Sequence, residues 1–179
     1  MLYFLVGATL VTAVAAWTDF RAGSIPNWLT LPAIGFGIVG HGALGWYLEG
    51  PRVGLEEAAT SLAGLLLCSL APGIMFWKGG MGGGDLKLFA ALGALCQPMI
   101  GIEAEMYGFV VAALVAPARL AYQGRLFKVL KNSLALLFNP IRSKDAKREI
   151  SPEVMTWFRL GPAIFVGMAA TLLAHFYEF

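Results

Sequence analysis

Two aspartates stand where an apolar chain has little reason to keep a charge. Asp19 lies in WTDFRAGSIPNWLT (17–30) and Asp85 in KGGMGGGDLKLF (78–89), each at the edge of a long hydrophobic run. Two carboxyl groups brought within a few ångströms cannot both ionise cheaply, so they share a proton and titrate as a unit. Such a pair can hydrolyse a peptide bond with water alone. The ionised acid takes a proton from water while the protonated one donates to the carbonyl oxygen. No cofactor and no metal is needed for that chemistry. Other catalytic sets are lacking: His41 and His175 fall toward the opposite ends of their helices, out of reach of Ser24, Ser61, Ser69 and Ser133. Cys68 and Cys96 sit inside apolar runs with no CxxC, which reads as buried free thiols and supplies too few ligands for a cysteine zinc site.

Each aspartate also has a plainer explanation. Asp19 alone reads as a solvated boundary charge, paired with Arg21. Asp85 alone reads as the N-cap of the helix that follows, its carboxylate accepting orphan N–H groups. Capping accounts for an aspartate, but not for Gly79, Gly80, Gly82, Gly83 and Gly84, five glycines in the six preceding residues. Glycine makes that backbone permissive and removes side chains that would hold a bound chain away.

The elements that must position these acids are helices in a membrane. The chain has 179 residues, 58% hydrophobic and 13% charged, with mean hydropathy +0.71, against about 25% charged in an ordinary soluble domain. Apolar runs at 2–18, 29–48, 58–77, 86–100, 105–122 and 157–176 predict an all-α polytopic membrane protein with six transmembrane helices. The fourth run is short, and is expected to begin inside the glycines or to lie shielded within the bundle. The first run lacks a basic leader region and reads as a retained helix. Segments 19–28, 78–87 and 119–159 hold twelve Lys and Arg, whereas the alternate side holds Arg52 alone among Glu49, Glu56, Glu57, Glu103, Glu105 and Glu178. That bias predicts both termini outside and both aspartates at the cytoplasmic face of the inner membrane. The whole chain, 1–179, reads as one membrane domain with a long cytoplasmic loop at 123–156. Its RLFKVLKNSLALLF stretch suggests an amphipathic helix among anionic lipid headgroups. Its basic run is too short and too mixed with acids to favour nucleic acid.

MGGGDLKLFAALG together with DFRAGSIPNWLT resembles the prepilin peptidase family of membrane aspartic proteases, whose second catalytic aspartate lies in a GxGD motif. Here that motif is Gly82, Gly83, Gly84 and Asp85, and Lys87 and Leu88 match its usual continuation. The family's first aspartate falls on Asp19, followed by Arg21 and by Ile25, Pro26 and Asn27; Gly161 and Pro162 resemble the start of its last helix. The resemblance implies catalysis by Asp19 and Asp85, with Gly82, Gly83, Gly84, Arg21, Pro26, Asn27 and Lys87 around the substrate. It implies a prepilin-like precursor as substrate, cut at its basic leader on the cytoplasmic face. The cysteine-bearing insert of many members is absent between helices one and two, which argues against N-methylation. The chain looks like the short form associated with Flp and tight-adherence pili, or the similar archaeal preflagellin peptidases. The alternative from another class is a small ion-coupled transporter or structural membrane subunit using the two acids as an ion path.

Overall fold

The computed structural model describes residues 1–122, 124, 127 and 159–176, and among them every regular element is a helix. These are α1 (Leu2–Ala22), α2 (Asn27–Glu49), α3 (Pro51–Trp77), α4 (Gly83–Tyr122) and α5 (Gly161–His175). The first four are long and apolar enough to cross a membrane; α5 has 15 residues and falls short of that length. The chain divides into two compact units, Met1–Ala112 with Arg159–Phe179, and Ala113–Phe158. Everything below concerns the first. Of the second, the described part is the end of α4 and a turn at Gly124, whose φ is 66°. The expected loop at 123–156, with its interfacial helix in RLFKVLKNSLALLF (125–138), lies outside the described residues except for 124 and 127.

Local sequence explains where the helices stop. Gly23, with φ 66°, closes α1 in a left-handed turn and its N–H returns to Asp19 O. Pro26, extended at φ −77° and ψ 145°, starts α2. Gly50 alone joins α2 to α3, at φ 99°, with Pro51 pre-set for the first helical turn. The apolar pattern had placed the start of this helix at 58, but α3 includes Glu56 and Glu57. Charge marks solvent exposure and does not end a helix. Small residues then let the α2–α3 hairpin close: a Cβ on Gly54 would stand 2.7 Å from Gly42 O and 2.8 Å from Trp46 N.

The 40-residue α4 is not straight. Gln97 breaks it with φ 61° and ψ 174°. Phe89 and Phe109 stack with ring centroids 5.2 Å apart, whereas twenty residues of straight helix would separate them by about 30 Å. A Cβ on Gly101 would lie 3.1 Å from Gly93 Cα. Two arms, 83–96 and 98–112, therefore run antiparallel on either side of Gln97. The connection expected near Glu103 and Glu105 is instead this single residue, and both glutamates are wound into the second arm.

The first arm is the centre of the bundle. Every residue from 88 to 96 is buried, including Leu88, Phe89, Leu92 and Leu95, and Ile164 and Met168 of α5 join them. Close approach is secured by glycine, since a Cβ on Gly64 or Gly93 would overlap the other's carbonyl oxygen, and one on Gly167 would overlap the backbone of Gly108. The arm thus starts within the glycines and is shielded by its neighbours, as its length requires: 83–96 spans about 21 Å, short of a bilayer core of about 30 Å. On α1, α2 and α3 many large apolar side chains face outward, among them Leu10, Phe36, Leu66 and Leu70, the pattern of helices whose surroundings are lipid. Trp17, Phe20, Trp28, Phe76 and Trp77 are exposed around the end that carries both aspartates.

Candidate active site

Asp19 sits one turn before the end of α1 and is 6% exposed, so it is not a solvated boundary charge. Its Oδ2 accepts a hydrogen bond from the Gly161 N–H at 3.0 Å, at the N-terminus of α5. Gly161 must be small for this: a Cβ there would come within 2.9 Å of Asp19 Cβ and 3.3 Å of Ala16 Cα. The cation beside Asp19 is Arg159, which also donates to the Phe20 carbonyl and lies over the Phe20 ring at 5.9 Å. Arg21 turns away, its guanidinium over Trp17 at 4.3 Å. The pairing of Asp19 with Arg21 suggested by their spacing is therefore not made, and the positive charge that acts on Asp19 comes from a residue 140 positions on.

Asp85 is the third residue of α4, not its N-cap. Gly82 occupies the cap position, with the Leu86 N–H donating to its carbonyl at 3.3 Å, and the Asp85 carboxylate accepts from the Gly82 N–H. An acid at the third position reaching back to the cap N–H is half of a capping box, placed on the positive end of the helix dipole. The two carboxyl groups, 66 positions apart in sequence, lie near enough to interact electrostatically.

The glycines divide into separate tasks. Gly79 alone among 79–84 has positive φ, 73°, and turns the chain after α3 with its N–H on Phe76 O. A Cβ on Gly82 would stand 3.1 Å from Asp85 Oδ2. A Cβ on Gly84 would stand 3.1 Å from Ile25 Cβ and 3.4 Å from Ile25 N and O, so Gly84 lets the first turn of α4 lie against the α1–α2 connection. Gly83 meets only Phe76, at an ordinary 3.4 Å. Lys87 Nζ donates to Asn27 Oδ1 at 2.8 Å, tying the same two segments together one turn further on. The structure thus gathers Asp19, Asp85, Gly82, Gly84, Lys87, Pro26 and Asn27 at one end of the bundle, and leaves Arg21 and Gly83 outside that contact.

Some features had no usable sequence signal. Arg159 and Gly161 approach Asp19 from the far end of the chain. Glu105, counted by its charge among outward-facing acids, is 6% exposed within the bundle and accepts from the Cys68 thiol. A cavity of about 550 Å³ lies away from the aspartates, at the opposite ends of α2 and α3, lined by Phe4, His41, Leu44, Glu57 and Gln97 among others.

A model of the Type IV leader peptidase family matches residues 6–117, a stretch that contains both aspartates. The prepilin peptidase EppA of Methanothermobacter thermautotrophicus is 32% identical over 133 residues. That alignment covers 73% of this chain and 32% of the relative, so the chain spans about a third of the length of the curated protein it matches. No solved structure matches the chain. With two interacting aspartates at one end of a helical membrane bundle and a family match across both, the chain belongs to the type IV leader peptidase family.

Proposed function

We propose that the chain is a membrane-embedded aspartic endopeptidase that removes the basic leader of prepilin-like subunits. The observation that carries this reading is the convergence of Asp19 and Asp85 from α1 and α4 at one end of the bundle. One carboxyl, ionised, takes a proton from water as its oxygen attacks the scissile carbonyl, while the other, protonated, donates to the carbonyl oxygen. On collapse of the tetrahedral centre the first carboxyl passes its proton to the departing peptide nitrogen, and the second recovers one from the hydroxyl that becomes the new carbonyl. The bond must arrive in extended form, because a helical substrate keeps its carbonyls within its own hydrogen bonds. Gly82, Gly83 and Gly84 leave room for such a strand beside Asp85. Lys87, Asn27 and Pro26 frame its approach, with Arg21 set outside them over Trp17.

In this reading the two arms of α4 count as separate crossings, which with α5 makes six. Both termini then face outward, and the aspartates face the cytoplasm from the inner membrane. The short connection of 19–28 supports cleavage without N-methylation, in the manner of the Flp-type form. An ion path is less well supported: both aspartates are at one end, and the first arm beyond them, LFAALGALC (88–96), carries no charged group. The test is incubation of the purified protein in nanodiscs with a pilin precursor, reading the masses of both products. Release of leader and mature subunit by the wild type, and none by Asp19→Asn or Asp85→Asn, is expected. Cleavage at the wild-type rate by either variant would refute the dyad.

A further inference from the structure

The break at Gln97 ends a helix inside the bundle, and the last carbonyls of a helix have no partners of their own. Sequence makes the shortage specific. The carbonyl of Ala94 would look to residue 98, which is Pro98 and has no N–H, and that of Leu95 looks past the break. In surroundings without water each unsatisfied carbonyl is costly. Two side chains from other helices supply what is missing: Ser61 Oγ of α3 donates to Ala94 O at 2.6 Å, and His41 Nε2 of α2 donates to Leu95 O at 2.9 Å. With its proton on Nε2, His41 presents Nδ1 as an acceptor, and Gln97 Nε2 donates to it at 3.3 Å. The same amide donates to Glu57 Oε2 at 2.5 Å, and Phe4 stacks on the imidazole at 3.6 Å. Gln97 is the one described non-glycine residue with positive φ, a conformation that persists only when its surroundings hold it.

We propose that His41, Ser61, Glu57 and Gln97 are positioning residues for Asp85, which they reach through the first arm of α4. The arm is a continuous helix, buried from 88 to 96, with Asp85 at one end and the network at the other, about 18 Å apart. Close packing on all sides leaves it little freedom except to slide or rotate as a unit, and the network fixes both at its far end. Because His41 and Ser61 belong to the tight α2–α3 hairpin, that hairpin is the frame against which Asp85 is aimed. The inference rests on Asp85 being a catalytic carboxyl.

Two measurements in nanodiscs test it. Steady-state cleavage of a pilin precursor is measured for His41→Phe, which keeps a ring against Phe4 but loses both polar contacts. It is measured also for His41→Gln, whose amide nitrogen reaches the Leu95 carbonyl. Separately, the rate of disulfide formation between Ile25→Cys and Gly84→Cys reports seating of the first arm against the α1–α2 connection, without reference to activity. His41→Phe is expected to lower kcat about tenfold at unchanged KM, as a displacement well under an ångström would, and to slow the cross-link at least about fivefold. His41→Gln is expected to restore both. An unchanged cross-linking rate in His41→Phe overturns the inference, as does equal damage by both variants accompanied by the same fall in melting temperature. If Asp85→Asn cleaves like the wild type, the peptidase reading fails on its own account, while the cross-linking rates still decide whether the network seats the arm.

Discussion

At the scale of single residues the proposed mechanism puts the chemistry on the two aspartates, and their variants separate chemistry from fold. Asp19→Asn and Asp85→Asn should each lower kcat/KM by at least about 10³-fold while leaving melting within a few degrees, since each loses an acid or a base and keeps the shape. The wild-type pH profile should be bell-shaped: at low pH the base is protonated, at high pH the acid is ionised, and activity falls on both sides. A profile with a single limb would contradict a two-carboxyl mechanism. Glycine substitutions should follow the local space. Gly84→Ala places a methyl 3.1–3.4 Å from Ile25 and should cut activity at least tenfold, whereas Gly83→Ala faces Phe76 at 3.4 Å and should cost little. Equal rates for the two would show that the seat against Ile25 has no part in catalysis. Both aspartates were legible in the sequence, because a carboxylate beside glycines in an apolar chain calls for an explanation. Their partners were not legible. Nothing near Asp19 announces Arg159 or Gly161, which reach it only because α5 packs along α1.

At the scale of elements the bundle depends on glycine where helices touch, and the effect of a methyl can be foreseen from what it would meet. Gly93→Ala or Gly64→Ala would force a Cβ into the opposing carbonyl and should destabilise by about 1–3 kcal/mol. Gly35→Ala meets nothing within 4 Å and lies in a helix, so it should be neutral or stabilising by up to about 1 kcal/mol. Thermal melting in detergent distinguishes these outcomes, and equal effects would mean the contacts do not hold the bundle. Hydrophobic runs located the helices well, since a membrane leaves the backbone no other way to satisfy its polar groups. They misplace the junctions, at 49–57 instead of Gly50 and at 101–104 instead of Gln97, because charged residues near a helix end resemble a loop. The reversal at Gln97 had one visible sign, Pro98, and the side chains that complete it come from positions 41, 57 and 61.

At the scale of the whole molecule, contacts bring the 19–27, 82–87 and 159–161 segments to one end of the helices, in keeping with the alternation of basic loops. Single cysteines placed at Lys144 and Glu56, with Cys68 and Cys96 removed, test the orientation. A membrane-impermeant reagent on intact cells should label position 56 and spare position 144; the reverse would invert the topology and the side of cleavage. The aromatic side chains around the aspartate end have an optical consequence. Trp17, Trp28 and Trp77 lie there, exposed by 58%, 67% and 85%, while Trp46 is at the other end of α2. Among the described residues, three of the four tryptophans therefore emit from the rim of the candidate site. Arrival of a basic leader among these rings should shift the spectrum without any added label, so the protein carries its own fluorescent report of what sits beside its two acids.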